Sequence, residues 1–518
     1  MGKTLRTTDE QYPSEDIPAK LPPPEVTLEE PRSEKPDETE EDPFLVKFAP
    51  GDPRDPKNWS RIRRWYLTLA SGLLVLNATF ASAAPTGIVV PLQTELRMSE
   101  MEVTLMISLF LAGYCVGPLL WGPLSEQCGR RPVFVYTFAI YTIFQVATAV
   151  SRNTASLLVF RFLGGTFAAA PLTNSGALIS DIWDANTRGK ALAIFTLAPF
   201  AGPALGPTIA GFIAESVSWR WLFWVLSIFA GVCLVLIVFT MPETYAPVLL
   251  IKAAKEKRKS TKDDRYYAPM EREEAEFLQL VEKVVAKPFK ILFQEPMLIA
   301  MTIYMSFVYG CLYLLFEAYP VVFTEGHGFS AGISGLTFLP IPLGGAIAVY
   351  LYVQVYNPRY EAEARRLSPN PVPPEFRLTL ALIAGPIYSV SFFWFGWTSF
   401  PSVSFWAPMM AGLPMGLSIC WIFLSLFNYI IDAYLSVAAS ALAANTVVRS
   451  LCGAGFPLFA TRMYVVLNPR WASTILGLIA VLMIPIPLVL AKYGPILRQR
   501  SKHAPKHALK AVGALAPV

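Results

Sequence analysis

Apolar runs of about 20 residues recur from residue 65 onward, and each is long enough to cross a hydrocarbon core about 30 Å thick. A window of about 19 residues resolves twelve of them. Six run over 65–90, 102–121, 132–150, 156–180, 190–214 and 220–241; six more run over 297–323, 333–356, 377–399, 404–431, 437–465 and 472–492. One long charged connection, 242–296, separates the two sets and contains KAAKEKRKSTKDDR and EREEAEF. The layout predicts an all-α membrane protein of twelve transmembrane helices in two sets of six. A weak echo between the halves supports a repeat: Gly202-Pro203-Ala204-Leu205-Gly206-Pro207 in span five and Gly453-Ala454-Gly455-Phe456-Pro457 in span eleven put small residues and prolines at matching places.

Composition agrees with the runs. Charged residues make up 16% of the 518 and the hydrophobic types 54%, where an ordinary soluble domain carries about 25% charged residues. Residues 1–60 are Pro- and Glu-rich, lack the basic-then-apolar layout of a cleavable signal peptide and are too polar to bury a core. They read as a disordered cytosolic tail ahead of an N-terminal half at 61–241, a cytosolic connection at 242–296, a C-terminal half at 297–493 and a basic cytosolic tail at 494–518. Short loops rich in Lys and Arg stay on the cytoplasmic side. Arg61, Arg63 and Arg64 precede span one, Arg130 and Arg131 follow span two, Arg188 and Lys190 follow span four, and Arg359, Arg365 and Arg366 follow span eight. Both termini are therefore expected in the cytosol. Much of the net charge of +5 then serves topology, which excludes a nucleic-acid partner, and the sequon at Asn77 lies inside a span.

The six cysteines stand singly, without the spacing of a disulfide framework or a zinc site. The three histidines, His327, His503 and His507, fall outside the spans, so proton coupling would need carboxylates. No metal site, nucleophile constellation or P-loop appears, which argues against an enzyme and against direct ATP coupling.

Between spans two and three runs Gly122-Pro123-Leu124-Ser125-Glu126-Gln127-Cys128-Gly129-Arg130-Arg131. It resembles the G-x-L-a-D-r-x-G-r-R signature of the major facilitator superfamily, with Glu126 in the Asp place. The carboxylate and the two arginines suit a charge network at the cytoplasmic mouth, with Asp181 at the end of span four as a partner for Arg130 or Arg131. Arg161-Phe162-Leu163-Gly164-Gly165-Thr166-Phe167-Ala168-Ala169 in span four is similar to the R-x-x-x-G-x-x-a-a motif of proton-coupled members, and Gly202, Pro203, Gly206, Pro207 and Gly211 in span five to the antiporters' G-P-x-x-G-P-x-x-G-G. With Asn58-Trp59-Ser60, Pro242-Glu243-Thr244-Tyr245-Ala246-Pro247 and Arg265-Tyr266-Tyr267-Ala268-Pro269, the chain resembles the fungal twelve-span drug:proton antiporters over about 45–495. The resemblance implies the major facilitator fold, a route lined by spans one, four, seven and ten, no cofactor beyond a proton gradient, and a monomer.

Three full charges lie well inside spans: Arg161, Glu317 and Arg449. A charge there costs roughly 2.5 to 3.5 kcal/mol on insertion scales, so it faces a cavity or a partner and is a functional candidate. Arg161 and Glu317 are expected near the outer ends of spans four and seven, where they could meet across the cavity and carry proton coupling. Arg449 reads as structural. Tyr309, Tyr313 and Glu317 recur every four residues and share a helical face; Asn77, Met415, Trp421 and Asn428 are further lining candidates. The functional expectation is a proton-coupled exporter of drugs, polyamines or secondary metabolites in the plasma membrane. An organic-acid exporter, with Arg161 and Arg449 as counter-charge, a sensor built on the same fold, and a vacuolar location remain open.

Overall fold

The computed structural model describes residues 42–184, 187–272, 286–368 and 370–503. Those residues are overwhelmingly helical. Eleven helical stretches have the length and apolarity to cross a membrane: Arg61–Glu95, Glu100–Cys128, Arg130–Ala149, Thr154–Ile182, Arg188–Ser216, Arg220–Thr240, Pro296–Gly326, Ala331–Leu367, Pro374–Thr398, Trp406–Ala433 and Pro457–Arg500. The first ten are spans one to ten. The missing span eleven is the helix Ala438–Gly455, whose Asn445, Thr446, Arg449 and Ser450 make it the most polar of the set. It continues from Pro457 to Asn468, where φ of 61° breaks the helix and Pro469 opens span twelve. The count is twelve because one long helical run contains a turn.

Local sequence explains the helix ends and breaks. Ser99 begins span two with a capping box, its hydroxyl accepting from Glu102 N while the Glu102 carboxylate accepts from Ser99 N at 2.7 Å. Asn153 and Ser60 cap spans four and one with the side-chain half alone, accepting from Ser156 N and Arg63 N. Span one loosens into a 3-10 turn at Ala84–Ile88, around Pro85, because proline supplies no N–H to the ladder.

The helix pairings repeat after six. Span one packs on five and seven on eleven; two packs on four and eight on ten; three packs on six and nine on twelve. Between the halves the pairs are five with eight and two with eleven, again related by the same offset. Glycines set the closest approaches. In span ten, a Cβ on Gly416 would strike the Ile341 carbonyl of span eight, and in span two one on Gly113 would strike the backbone of Thr166 in span four.

Ahead of span one, Val46 N donates to Tyr267 O at 2.9 Å, Arg54 pairs with Asp52, and Trp59 Nε1 donates to Pro53 O at 3.2 Å. The last helix runs past 494 to Arg500 because Arg498 forms a bidentate pair with Glu375 at 3.1 and 2.8 Å. Residues 1–41 and 504–518 lie outside the described residues. In the central connection an amphipathic helix, Ala246–Thr261, ends at Lys262 in the left-handed region, and Arg258 pairs with Glu271 at 2.7 Å.

Candidate functional site

Arg161 of span four is 1% exposed, and each nitrogen of its guanidinium donates a hydrogen bond. Nε donates to Met106 O of span two at 3.0 Å, Nη1 to Ala81 O at 2.9 Å and Nη2 to Ser82 O at 3.1 Å, both in span one; the Phe110 ring lies 4.1 Å away. One of the three acceptors follows from a single residue of sequence. In an unbroken helix Ala81 O would accept from the N–H of residue 85, but residue 85 is proline. The freed carbonyl becomes Arg161's acceptor, and a buried cation is held by main-chain dipoles in place of a carboxylate.

Arg161 and Glu317 do not meet. No ion pair joins them among the described residues; Glu317 Oε2 instead accepts from Thr461 Oγ1 of span eleven at 3.4 Å. The link is indirect. Tyr313, one turn before Glu317, shares a 2.8 Å hydrogen bond with Ser82 Oγ, and the carbonyl of that same serine holds Arg161. Four residues carry a helix about 40° past a full turn, and across that step Glu317 reaches Thr461 of span eleven whereas Tyr313 reaches span one.

Arg449 lies among rings. Its Cζ is 4.8 Å from the Tyr309 centroid, 5.6 Å from Phe423 and 5.5 Å from Phe427. Phe200 of span five extends the aromatic wall, 5.2 Å from Phe423. Asn77 is fully buried with neither amide atom hydrogen-bonded among the described residues. The remaining lining candidates are otherwise engaged. Met415 is fully buried, Trp421 Nε1 donates to Ala348 O of span eight at 3.0 Å, and Asn428 Nδ2 donates back to Leu424 O. Trp421 therefore belongs to the contact with span eight; on span ten it is Phe423 and Phe427 that face Arg449.

At the end of the bundle where spans two and three join, Arg130 Nε pairs with Asp181 Oδ2 at 3.0 Å and Nη1 donates to Ser125 Oγ at 2.6 Å. Ser125 Oγ lies 2.9 Å from Asn174 Oδ1. The second carboxylate of this network is Glu243 rather than the expected Glu126. Glu243 accepts from the backbone N–H of Arg130 and Arg131 at 2.9 and 3.2 Å, and from those of Thr244 and Tyr245 at 2.9 Å each. Gly129 permits this, with φ of +100° and no side chain, since a Cβ there would collide with the Glu243 carboxylate. Glu126 is exposed and makes no ion pair among the described residues. Gly122 has ordinary contact with Thr173, and Arg131 Nη2 donates to Val238 O.

In span five, a Cβ on Gly202 would strike Thr79 and one on Gly206 would lie 2.9 Å from Ala84 N, so these glycines let spans one and five touch backbone to backbone. Pro203 and Pro207 lie inside the helix. At its far end Gly211 meets the Ala331 carbonyl of span eight, and Thr208 Oγ1 donates to Gly335 O at 2.7 Å. The halves also touch at the opposite end, where Lys190 approaches Glu361 at 3.5 Å. No cluster of metal-ligating side chains occurs among the described residues.

A profile described as Major Facilitator Superfamily matches residues 69–457. The chain belongs to the major facilitator superfamily. It is a transporter by family, not an enzyme, and nothing in that family calls for a cofactor. This major facilitator is 41% identical over 468 residues to the MFS-type efflux pump MFS2 of Trichophyton rubrum, covering 90% of this chain and 78% of that one. It is 39% identical over 470 residues to the multidrug transporter mdrA of Aspergillus fumigatus, covering 90% and 77%. To the citrinin biosynthesis cluster MFS transporter mrr1 of Monascus ruber it is 39% identical over 489 residues, covering 93% and 96%. Among solved structures, the xylose transporter XylE of E. coli superposes with a TM-score of 0.58 at 16% identity, over 83% of this chain and 99% of that one. Human MFSD10 superposes with a TM-score of 0.59 at 17% identity, over 83% and 100%. At such identities these structures speak for the fold alone.

Two functional groupings of this major facilitator escape a reading of its sequence. Glu243 is quoted by its motif but nothing local says that it caps a helix more than a hundred residues earlier. The face of span ten that meets Arg449 was also ambiguous, because Trp421 and Phe423 are both aromatic; the spacing of Phe423 and Phe427 by four was the available signal.

Proposed function

We propose that this chain exports a small organic molecule from the cytosol in exchange for protons, working as a monomer in the plasma membrane with both termini cytosolic. Export follows the efflux relatives, and the orientation follows the basic loops. The two six-helix halves, in contact near both ends through Thr208–Gly335 and Lys190–Glu361, would open alternately. The observation that carries proton exchange is Glu317: a carboxylate in span seven with no cation beside it among the described residues, held by the Thr461 hydroxyl alone and one turn from the Tyr313–Ser82–Arg161 chain. An isolated carboxylate at membrane depth is tolerable when it can take up a proton. Its two protonation states would then favour different arrangements of span seven against spans one and eleven.

The test is the purified protein in liposomes with an imposed pH gradient and an internal pH dye, challenged with cationic drugs, polyamines and organic acids. Substrate-dependent proton flux is expected from the wild type and its loss from Glu317→Gln. Flux that survives in the variant would remove Glu317 from the coupling, and absence of proton movement with every compound would remove antiport.

A further inference from the structure

We infer that Arg449, with Tyr309, Phe423 and Phe427, is the subsite that receives the anionic group of the cargo, and that the cargo is a flat aromatic carboxylate. The inference rests on the exporter reading above and names its substrate class.

The position of Arg449 on its helix comes first. Asn445, Arg449 and Gly453 follow one another at intervals of four, so they share one face of span eleven. Asn445 is fully buried against Thr302 and Met305 of span seven. Gly453 meets Tyr309 of the same span, where a Cβ would come within 2.9 Å of the ring. Arg449 between them therefore points into the bundle, away from Leu451, which is 63% exposed on the outer surface. Gly453 lets the Tyr309 ring come in close beside the guanidinium.

The unmet bonding of Arg449 comes second. Its Nε is buried without a hydrogen-bond partner, and no carboxylate pairs with the guanidinium among the described residues. Three rings at 4.8 to 5.6 Å attract the positive charge through their faces, but a ring face cannot replace in-plane acceptors for five N–H donors. Arg161, 1% exposed, illustrates the alternative: each of its three nitrogens donates to a carbonyl. Arg449 retains donors of the planar fork suited to a bidentate carboxylate, and its side chain is not fully buried.

Third, the surroundings select the rest of the ligand. Tyr309, Phe423, Phe427 and Phe200 supply flat apolar walls that favour stacking with a planar ring system. The carboxylate within span seven, Glu317, is engaged with Thr461. A cationic cargo would meet an uncompensated guanidinium.

The experiment measures binding to the full-length protein in nanodiscs, with 1-naphthoate, its neutral amide 1-naphthamide, and 1-naphthylmethylammonium as probes. The acid is expected to bind the wild type at least about tenfold more tightly than the amide or the ammonium compound. Arg449→Met is expected to weaken the acid at least about tenfold while leaving the amide unchanged, and Arg449→Lys, which keeps the charge but not the fork, to fall between. If Arg449→Met does not fold, as judged by its elution and melting, Arg449→Lys alone decides by the same acid-to-amide ratio. Equal binding of acid and amide by the wild type, full acid affinity in the variants, or no acid binding at about 1 mM overturns the subsite. Glu317→Gln liposomes separate the two proposals. Selective acid binding without proton flux refutes only the antiport, and proton flux driven by cations with no preference for acids refutes only the subsite.

Discussion

Replacing Glu243 with alanine tests which carboxylate holds the charge network together. Glu243 is 8% exposed and accepts four backbone N–H groups. Two of them, on Arg130 and Arg131, are the first donors of span three, which has no side-chain cap from its own N-cap residue, Gly129. Losing a cap costs about 0.5–2 kcal/mol, and each buried donor left unpaired costs about 1–3 kcal/mol. The two helix donors are the cap itself, so counted once they make Glu243→Ala lose about 2–6 kcal/mol. Glu126→Ala, which touches an exposed side chain, should stay within about 0.5 kcal/mol. Thermal unfolding of the purified protein, followed with a thiol-reactive dye as the buried Cys233, Cys311 and Cys420 become accessible, measures both. The midpoint of Glu243→Ala should fall by several degrees and that of Glu126→Ala should not move. Equal losses from the two variants, or an unchanged midpoint for Glu243→Ala, would refute the assignment.

Gly416→Ala forces a methyl into the Ile341 carbonyl across spans eight and ten and should destabilise by about 1–3 kcal/mol, whereas Gly231→Ala, with open space at its Cβ, should be neutral or stabilising by up to about 1 kcal/mol; the same dye assay reads both. In the central connection the Arg258 guanidinium holds the Glu271 carboxyl below its usual range, and Glu271 also accepts from Ala268 N at 2.9 Å. A depressed carboxylate lends stability that is fully present above the unfolded value of about 4.3 and is lost as pH falls through the lower folded value. Hydrogen exchange at Ala268, corrected for its intrinsic pH dependence, should therefore be protected at neutral pH and lose protection only below about pH 4, and Glu271→Gln should remove most of that protection at neutral pH.

The spans were legible because lipid demands long apolar runs and leaves few alternatives; only span eleven blurred, where Arg449 and its polar neighbours dilute the signal. The Arg130–Asp181 pair could be read because both residues stand at span ends on the same side. One of Arg161's partners was readable in principle from Pro85, since a proline four residues after Ala81 announces a free carbonyl. That Arg161 and Glu317 stay apart was not readable. The facing of span seven toward span eleven depends on Gly310, where a Cβ would lie 2.7 Å from the Phe456 ring, and a sequence does not say which ring occupies the space a glycine leaves. Glu243 was hidden by chain distance, since a cap supplied from the far side of four helices leaves no local trace.

That separation has a consequence for biogenesis. The N–H groups that open the third helix find their acceptor only when residue 243, which follows the sixth helix, has been synthesised and has left the ribosome. Until then the third helix has an open end and the first half lacks its clasp. A nascent chain arrested before Pro242 should remain protease-sensitive near Gly129, and one extended past Tyr245 should mature abruptly. If this protein were produced as two separate polypeptides, the cut that leaves both pieces self-sufficient would lie in the central connection, beyond that glutamate.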